Sequence, residues 1–199
     1  MPRTLTEADV AEFRERLCEA AERLFVERGP EAVTMRQLAG ALGVSPMTPY
    51  RYFRDKDDIL AAVRAAAYDR FAQALEAAHA EPGDARAKGA RVAEAYLDFA
   101  FSNPQTYKLM FDLHQPNEHD YPDLKRASER ARRTMTDYVR GLVEAGVLAG
   151  DPDEIGAMFW AATHGVVVLA LAGRLGRETD PRKLASSLSR ALSRGLRPH

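Results

Sequence analysis

The densest run of side chains that could do acid–base or metal chemistry is Asp112-Leu113-His114-Gln115-Pro116-Asn117-Glu118-His119-Asp120, nine residues carrying carboxylates and imidazoles. A metal needs such groups held convergent. Here Pro116 splits the run, and no histidine pair has the i, i+4 spacing of a helix face. The segment reads as a solvated polar connection with no metal. Cys18 is the only cysteine, which excludes an intramolecular disulfide and a cysteine-built zinc site. No nucleophile-elbow glycine–serine motif and no glycine-rich phosphate loop occur. The residues therefore predict no catalytic site, no cofactor and no enzyme.

A different chemistry is written into residues 34–56. Thr34 and Gln37 form a capping-box pair that opens a short helix to Leu42; Gly43 turns the chain, and Ser45-Pro46 starts the next helix. Two short helices joined by a glycine-containing turn make a helix-turn-helix. Leu38, Ala39, Leu42 and Val44 face inward, and the second helix presents Pro46, Met47, Thr48, Tyr50 and Arg51 outward. Arginine reads guanine in the major groove, and threonine or methionine can touch a thymine methyl. The chain as a whole has a formal charge of -1, so its overall charge does not mark a nucleic-acid binder. Locally, however, Arg28, Arg36, Arg51, Arg54 and Lys56 face only Glu31 and Asp55.

The elements that must position these residues are helical. Ala, Leu, Arg and Glu abound, and strand alternation is missing. Apolar positions from Val10 to Phe25 form one stripe, stopped by Gly29-Pro30. A long helix is predicted from Asp57 to about His79, roughly 34 Å at 1.5 Å per residue. Others fit Ala85–Ser102, Pro104–Leu113, Pro122–Ala145, Pro152–Arg174 and Pro181–Leu196, several opening on proline. About nine helices result. They divide into two functional parts, residues 1–56 with the helix-turn-helix and residues 57–199. Ile155 to Gly173 runs 19 residues without a charge; its Thr163, His164 and small residues predict a helix buried by protein on most faces rather than a membrane span. The N-terminal residues carry no apolar stretch like a signal peptide, so the cytoplasm is the expected compartment.

Thr34-x-Arg36-x-Leu38-Ala39-x-x-Leu42-Gly43-Val44-Ser45, followed by Tyr50-x-Tyr52-Phe53-x-x-Lys56-x-x-Ile59-Leu60, resembles the DNA-binding domain of tetracycline-repressor-type (TetR family) regulators. The resemblance spans about residues 10–62. It implies that Thr34 and Lys56 contact phosphates, that Tyr50 and Tyr52 lie on the backbone beside the groove, and that Arg36, Pro46, Met47, Thr48 and Arg51 read bases. Ser45 belongs to the same interface as the cap of the recognition helix. Pro49 departs from the family pattern, which has an aliphatic residue there. As the fourth helical residue it forfeits the first intrahelical hydrogen bond, which predicts a recognition helix that begins later or is bent.

In the second part, Trp160 and His164 share a helix face, with His164 read either as a satisfied core residue or as a ligand contact. Tyr96, Phe99, Tyr107, Met110, Phe111, Met135 and Tyr138 are either plain core or the walls of a pocket for an apolar or aromatic small molecule. Gly156 and Gly165 allow another helix close. Leu184, Leu188 and Leu192 recur every four residues, so the last two helices of each chain could pair into a four-helix seam, the alternative being an intrachain bundle. Phe159-Trp160-x-x-x-His164-Gly165-Val166-Val167-x-Leu169 resembles the Trp-x-x-x-His-Gly signature of one TetR C-terminal subgroup, and Asn103-Pro104-x-x-Tyr107-x-Leu109-Met110-Phe111 is similar to its sixth helix. The resemblance implies a DNA-binding domain at residues 1–56 and a helical ligand-binding and dimerisation domain at residues 57–199, in a homodimeric one-component regulator, a repressor that binds a palindromic double-stranded DNA operator and is released by a small-molecule effector. The competing reading from the residues is a helical adaptor without sequence-specific DNA binding.

Overall fold

The computed structural model describes residues 6–112 and 117–198. Among them every regular element is helical, and eight α-helices follow one another: α1 Glu7–Arg28, α2 Met35–Ala41, α3 Lys56–Ala80, α4 Ala85–Ser102, α5 Pro104–Phe111, α6 Pro122–Glu144, α7 Pro152–Leu171 and α8 Pro181–Gly195. The predicted spans for the long helices hold to within a few residues. Short 3-10 turns lie at Pro30–Ala32, Pro49–Arg51 and Glu118–Asp120.

Contacts divide the chain into two compact units. One comprises Met1–Tyr68 with Lys108–Ser128, the other Asp69–Tyr107 with Glu129–His199. The first thus takes in the segment expected as the DNA-binding part, together with the start of α3 and residues beyond it. Its core is the apolar stripe of α1 (Leu17, Ala21, Phe25) closed by Leu38 of α2 and by Ile59 and Val63 of α3. Helix α1 ends where Gly29 adopts φ 79°, a conformation that favours glycine, while its N–H still returns to the Phe25 carbonyl.

In the second unit, Arg130 of α6 binds Asp69 at 2.9 Å and Glu76 at 2.6 Å, both on α3. That pairing holds the Glu76 carboxyl below its ordinary range. Helix α7 packs along α8. Gly156 lies against Thr136 of α6, where an added Cβ would meet the threonine Cγ2 at 2.6 Å and its Cα at 3.1 Å. That expected close approach is therefore made within the chain. Gly165 has nothing within 4 Å of the same position.

Helix α7 corrects one expectation. It is long and apolar enough to cross a membrane, yet of its residues only Ile155, Gly156, Phe159, Val166 and Val167 are buried. Phe159 turns inward, whereas Met158, Val168 and Leu169 are 40–46% exposed. One chain supplies neighbours for only part of this helix.

Candidate nucleic-acid interface and effector region

Thr34 caps α2 as its sequence demands. Its hydroxyl accepts from the Gln37 N–H at 3.3 Å, and the Gln37 amide oxygen accepts from the Thr34 N–H at 2.8 Å. Two otherwise unmatched helix donors are satisfied at once. Thr34→Ala should therefore lower the stability of the chain by about 1 kcal/mol, read from the urea midpoint; an unchanged midpoint would leave the cap without energetic weight.

The segment after α2 differs from the expected α-helix beginning at Ser45. Pro46 and Met47 form a turn, and the only regular element is the 3-10 turn Pro49–Arg51. The cause is the proline pair. Position 49 is where the first N–H should bond back to Ser45, and a proline ring has no N–H to give. The Ser45 carbonyl is bonded instead by the Thr48 N–H at 2.9 Å, and the Thr48 carbonyl by that of Arg51 at 3.1 Å. The Ser45 hydroxyl retains a cap-like role, accepting from the Met47 N–H at 3.4 Å. Pro49 itself is buried. Around it Ser45, Pro46, Met47, Tyr50 and Arg51 are exposed, with Thr48 half-buried. Met47 is 68% exposed, far more than an unbranched apolar side chain needs.

The far end of this turn is fixed to α1. Tyr52 stacks on Phe13 with ring centroids 4.2 Å apart, the Arg14 guanidinium lies 4.0 Å over the Phe53 ring, and Arg14 also donates to the Tyr52 carbonyl. Tyr52 is thus turned toward its own unit, and Tyr50 is the outward tyrosine. Arg36 is exposed on α2. Lys56 donates its ammonium to the Pro30 carbonyl at 2.7 Å, leaving two of its three protons for another acceptor. Cys18 lies in the same unit, its thiol pushed up to about 11 by burial, so it is an unreactive packing residue.

The expected effector residues separate into groups. Tyr96, Tyr107 and His164 form a hydrogen-bonded chain: the two hydroxyls are 2.6 Å apart, and the Tyr107 hydroxyl is 2.7 Å from His164 Nδ1. Burial holds the His164 pKa below its ordinary value, which favours a neutral ring in this chain. Trp160 lies on the same helix face, its ring 6.0 Å from that of His164. Phe99 packs edge-on against Phe71, as does Tyr96. Met135 and Trp160 line a cavity of about 380 Å³ beside Gly156. Tyr138 faces Phe159 in a separate cleft. Met110 and Phe111 are placed in the first unit, where the Met110 carbonyl accepts from Tyr68 at 2.7 Å and Arg64 at 3.1 Å and Phe111 meets Tyr68 edge-on. Phe71 and Phe159 were not among the expected residues. Both sit on helices rich in alanine or uniformly apolar, where no stripe distinguishes an inward side chain. Of the run 112–120, Leu113, His114, Gln115 and Pro116 lie outside the described residues; among the described residues no group of three metal-ligating side chains occurs.

A capped helix, a turn and an exposed basic and aromatic reading segment, on an otherwise helical chain, define a helix-turn-helix protein. Residues 17–63 match the bacterial regulatory proteins of the tetR family, and residues 89–192 match the tetracyclin repressor-like C-terminal domain. The chain is 30% identical over 135 residues to the HTH-type transcriptional activator FasR of Mycolicibacterium smegmatis, covering 66% of this chain and 59% of that protein. It is 43% identical over 51 residues to an HTH-type transcriptional regulator of Staphylococcus aureus, covering 26% of this chain and 28% of that one. It therefore spans less than two thirds of the length of these curated relatives. Among solved structures, a protein of unknown function from Rhodococcus sp. RHA1 superimposes with a TM-score of 0.81 at 27% identity, all of both chains being covered. The chain belongs to the TetR family, whose members matched here are DNA-binding transcription regulators rather than enzymes.

Proposed function

We propose that this protein is a homodimeric one-component regulator that binds a palindromic operator and releases it when a small apolar or aromatic effector binds the second unit. The observation that carries the DNA reading is the row Met47, Tyr50 and Arg51, exposed on a turn anchored by buried Pro49. In this reading Arg36, Pro46, Met47, Thr48 and Arg51 meet base edges, and Thr34, Tyr50 and Lys56 meet the backbone; Tyr52 supports the turn through Phe13. Two copies would place their reading turns in successive major grooves, about 34–36 Å apart. The unburied side of α7, continued by Leu188 of α8 at 37% exposure, supplies the surface for the second copy.

Effector release requires the ligand to prefer the non-binding state, and a 100-fold preference is worth about 2.7 kcal/mol per site. In this reading an operator that overlaps a promoter makes the protein a repressor, and its DNA target makes the cytoplasm its compartment. Tyr107, His164 and Trp160 are the residues proposed to sense the effector.

Selection from random duplexes at fixed near-physiological salt tests the reading. Enrichment of a palindrome supports it; salt-sensitive binding with no enriched sequence refutes it in favour of a helical adaptor. Lys56→Gln should flatten the logarithmic salt dependence of operator binding by about one unit. An unaltered slope would remove Lys56 from the phosphate contacts and leave only its bond to Pro30.

A further inference from the structure

Helices α4, α6, α7 and α8 of the second unit enclose a cleft of about 630 Å³; Leu97 and Thr163 line it, but their chain neighbours Tyr96 and His164, and Tyr107 with them, do not. Its apolar floor includes Leu97, Tyr138, Leu142 and Phe159; its wall is the basic side of α8. Five arginines line it (Arg86, Arg182, Arg190, Arg194 and Arg197) against a single carboxylate, Glu94. Arg182 is already matched, by Asp98 at 2.6 Å. Arg190 is braced by the Ser186 and Ser187 hydroxyls at 2.7 and 2.9 Å. Among the described residues, neither it nor Arg86, Arg194 or Arg197 forms an ion pair.

Guanidiniums gathered at one mouth repel each other and raise the local potential for an anion. They are also the side chains that bind phosphate or carboxylate through paired N–H groups. Below them lies apolar surface that a simple inorganic ion cannot use. At 100° per residue, Arg182, Ser186, Ser189, Arg190 and Ser193 share one side of α8, while Leu184 and Leu188 lie on the opposite side; Arg197 follows just beyond the helix end. A seam through the leucines would leave the arginine side open.

We propose that this cleft binds an amphipathic oxyanion, its apolar tail on the Leu97–Tyr138–Leu142–Phe159 floor and its phosphate or carboxylate head on Arg190, Arg194 and Arg197. The proposal is independent of operator binding, since it concerns the chain without DNA.

Calorimetric titration of the full chain tests it with four probes: decyl phosphate, decanoate, decyl glucoside and inorganic phosphate, each below its aggregation threshold. At least one of the two anionic amphiphiles should bind one per chain, tenfold or more tighter than both the neutral glucoside and inorganic phosphate; which of the two is tighter identifies the head group. The double variant Arg190→Gln/Arg194→Gln, changed only at exposed positions, should lose tenfold or more for that probe. Ala93→Phe, which fills the cleft, should weaken it as well, while His164→Asn should not. Equal binding of the glucoside or of inorganic phosphate would overturn the proposal, as would an unchanged affinity in the double arginine variant.

Discussion

Val168→Glu is expected to leave a folded monomer that binds operator at least 100-fold more weakly than the parent. Val168 is 43% exposed on α7, beside Leu169 at 46% and in line with the open surface at Gly165. In the single chain a glutamate there meets water and costs almost nothing. In a twofold-symmetric pair the same substitution enters the seam twice, and each carboxylate leaves water without a partner, a cost of several kcal/mol per ion. Loss of pairing also removes the tether that converts the second half-site contact into an intramolecular event. Sedimentation velocity at micromolar concentration should therefore report one chain, circular dichroism should remain helical, and operator titration should lose the large factor. A variant that sediments as a dimer would place the seam elsewhere.

Gly156→Leu carries the largest expected effect on folding. Even a single added carbon would stand 2.6 Å from Thr136 Cγ2 and 3.1 Å from its backbone Cα. A threonine methyl can rotate, but the backbone of α6 cannot move without disturbing the Arg130 pairings to Asp69 and Glu76 on the same helix. Overpacking of this kind costs about 2–3 kcal/mol, which for a chain of this size corresponds to a fall of roughly 5–10 °C in Tm. Gly165→Leu is the matched control when both variants are made in the monomeric Val168→Glu background: it meets open space in the single chain and should leave that monomer's Tm unchanged. Equal Tm values for the Gly156 variant and the parent would show that α6 and α7 have room to separate.

The helices were legible because their ends carry local chemistry. Thr34 with Gln37, Gly29 with Pro30, and the prolines Pro152 and Pro181 act within one turn of the chain, and the helix ends fall where they stand; the structure adds Asp151 and Asp180 as the side-chain caps just before those prolines. The recognition segment was only half legible. Ser45-Pro46 signals a helix start, and that signal is genuine in most contexts, but Pro49 removes the bond by which the helix would propagate. Packing partners were least legible. Leu184, Leu188 and Leu192 have identical spacing, yet Leu192 packs on the cluster of Val139, Leu142 and Ile155 while Leu188 remains exposed. Periodicity reports that a face is apolar, not what covers it. The same limit applies to Met110 and Tyr107, three residues apart on α5 but assigned to different units.

The proline-set turn at 46–51 also bears on how this protein can change over generations. A reading helix held by its own hydrogen-bond ladder ties the choice of exposed residue to helix propensity, so a new operator preference is paid for in stability. Here Pro49 is buried and the Phe13–Tyr52 and Arg14–Phe53 contacts hold the far end, whereas Met47 and Arg51 contribute little to the core. Those two positions can mutate through many side chains while the fold stays above its threshold. If Met47 and Arg51 read bases as proposed, target specificity in this lineage can drift faster than the scaffold that presents it.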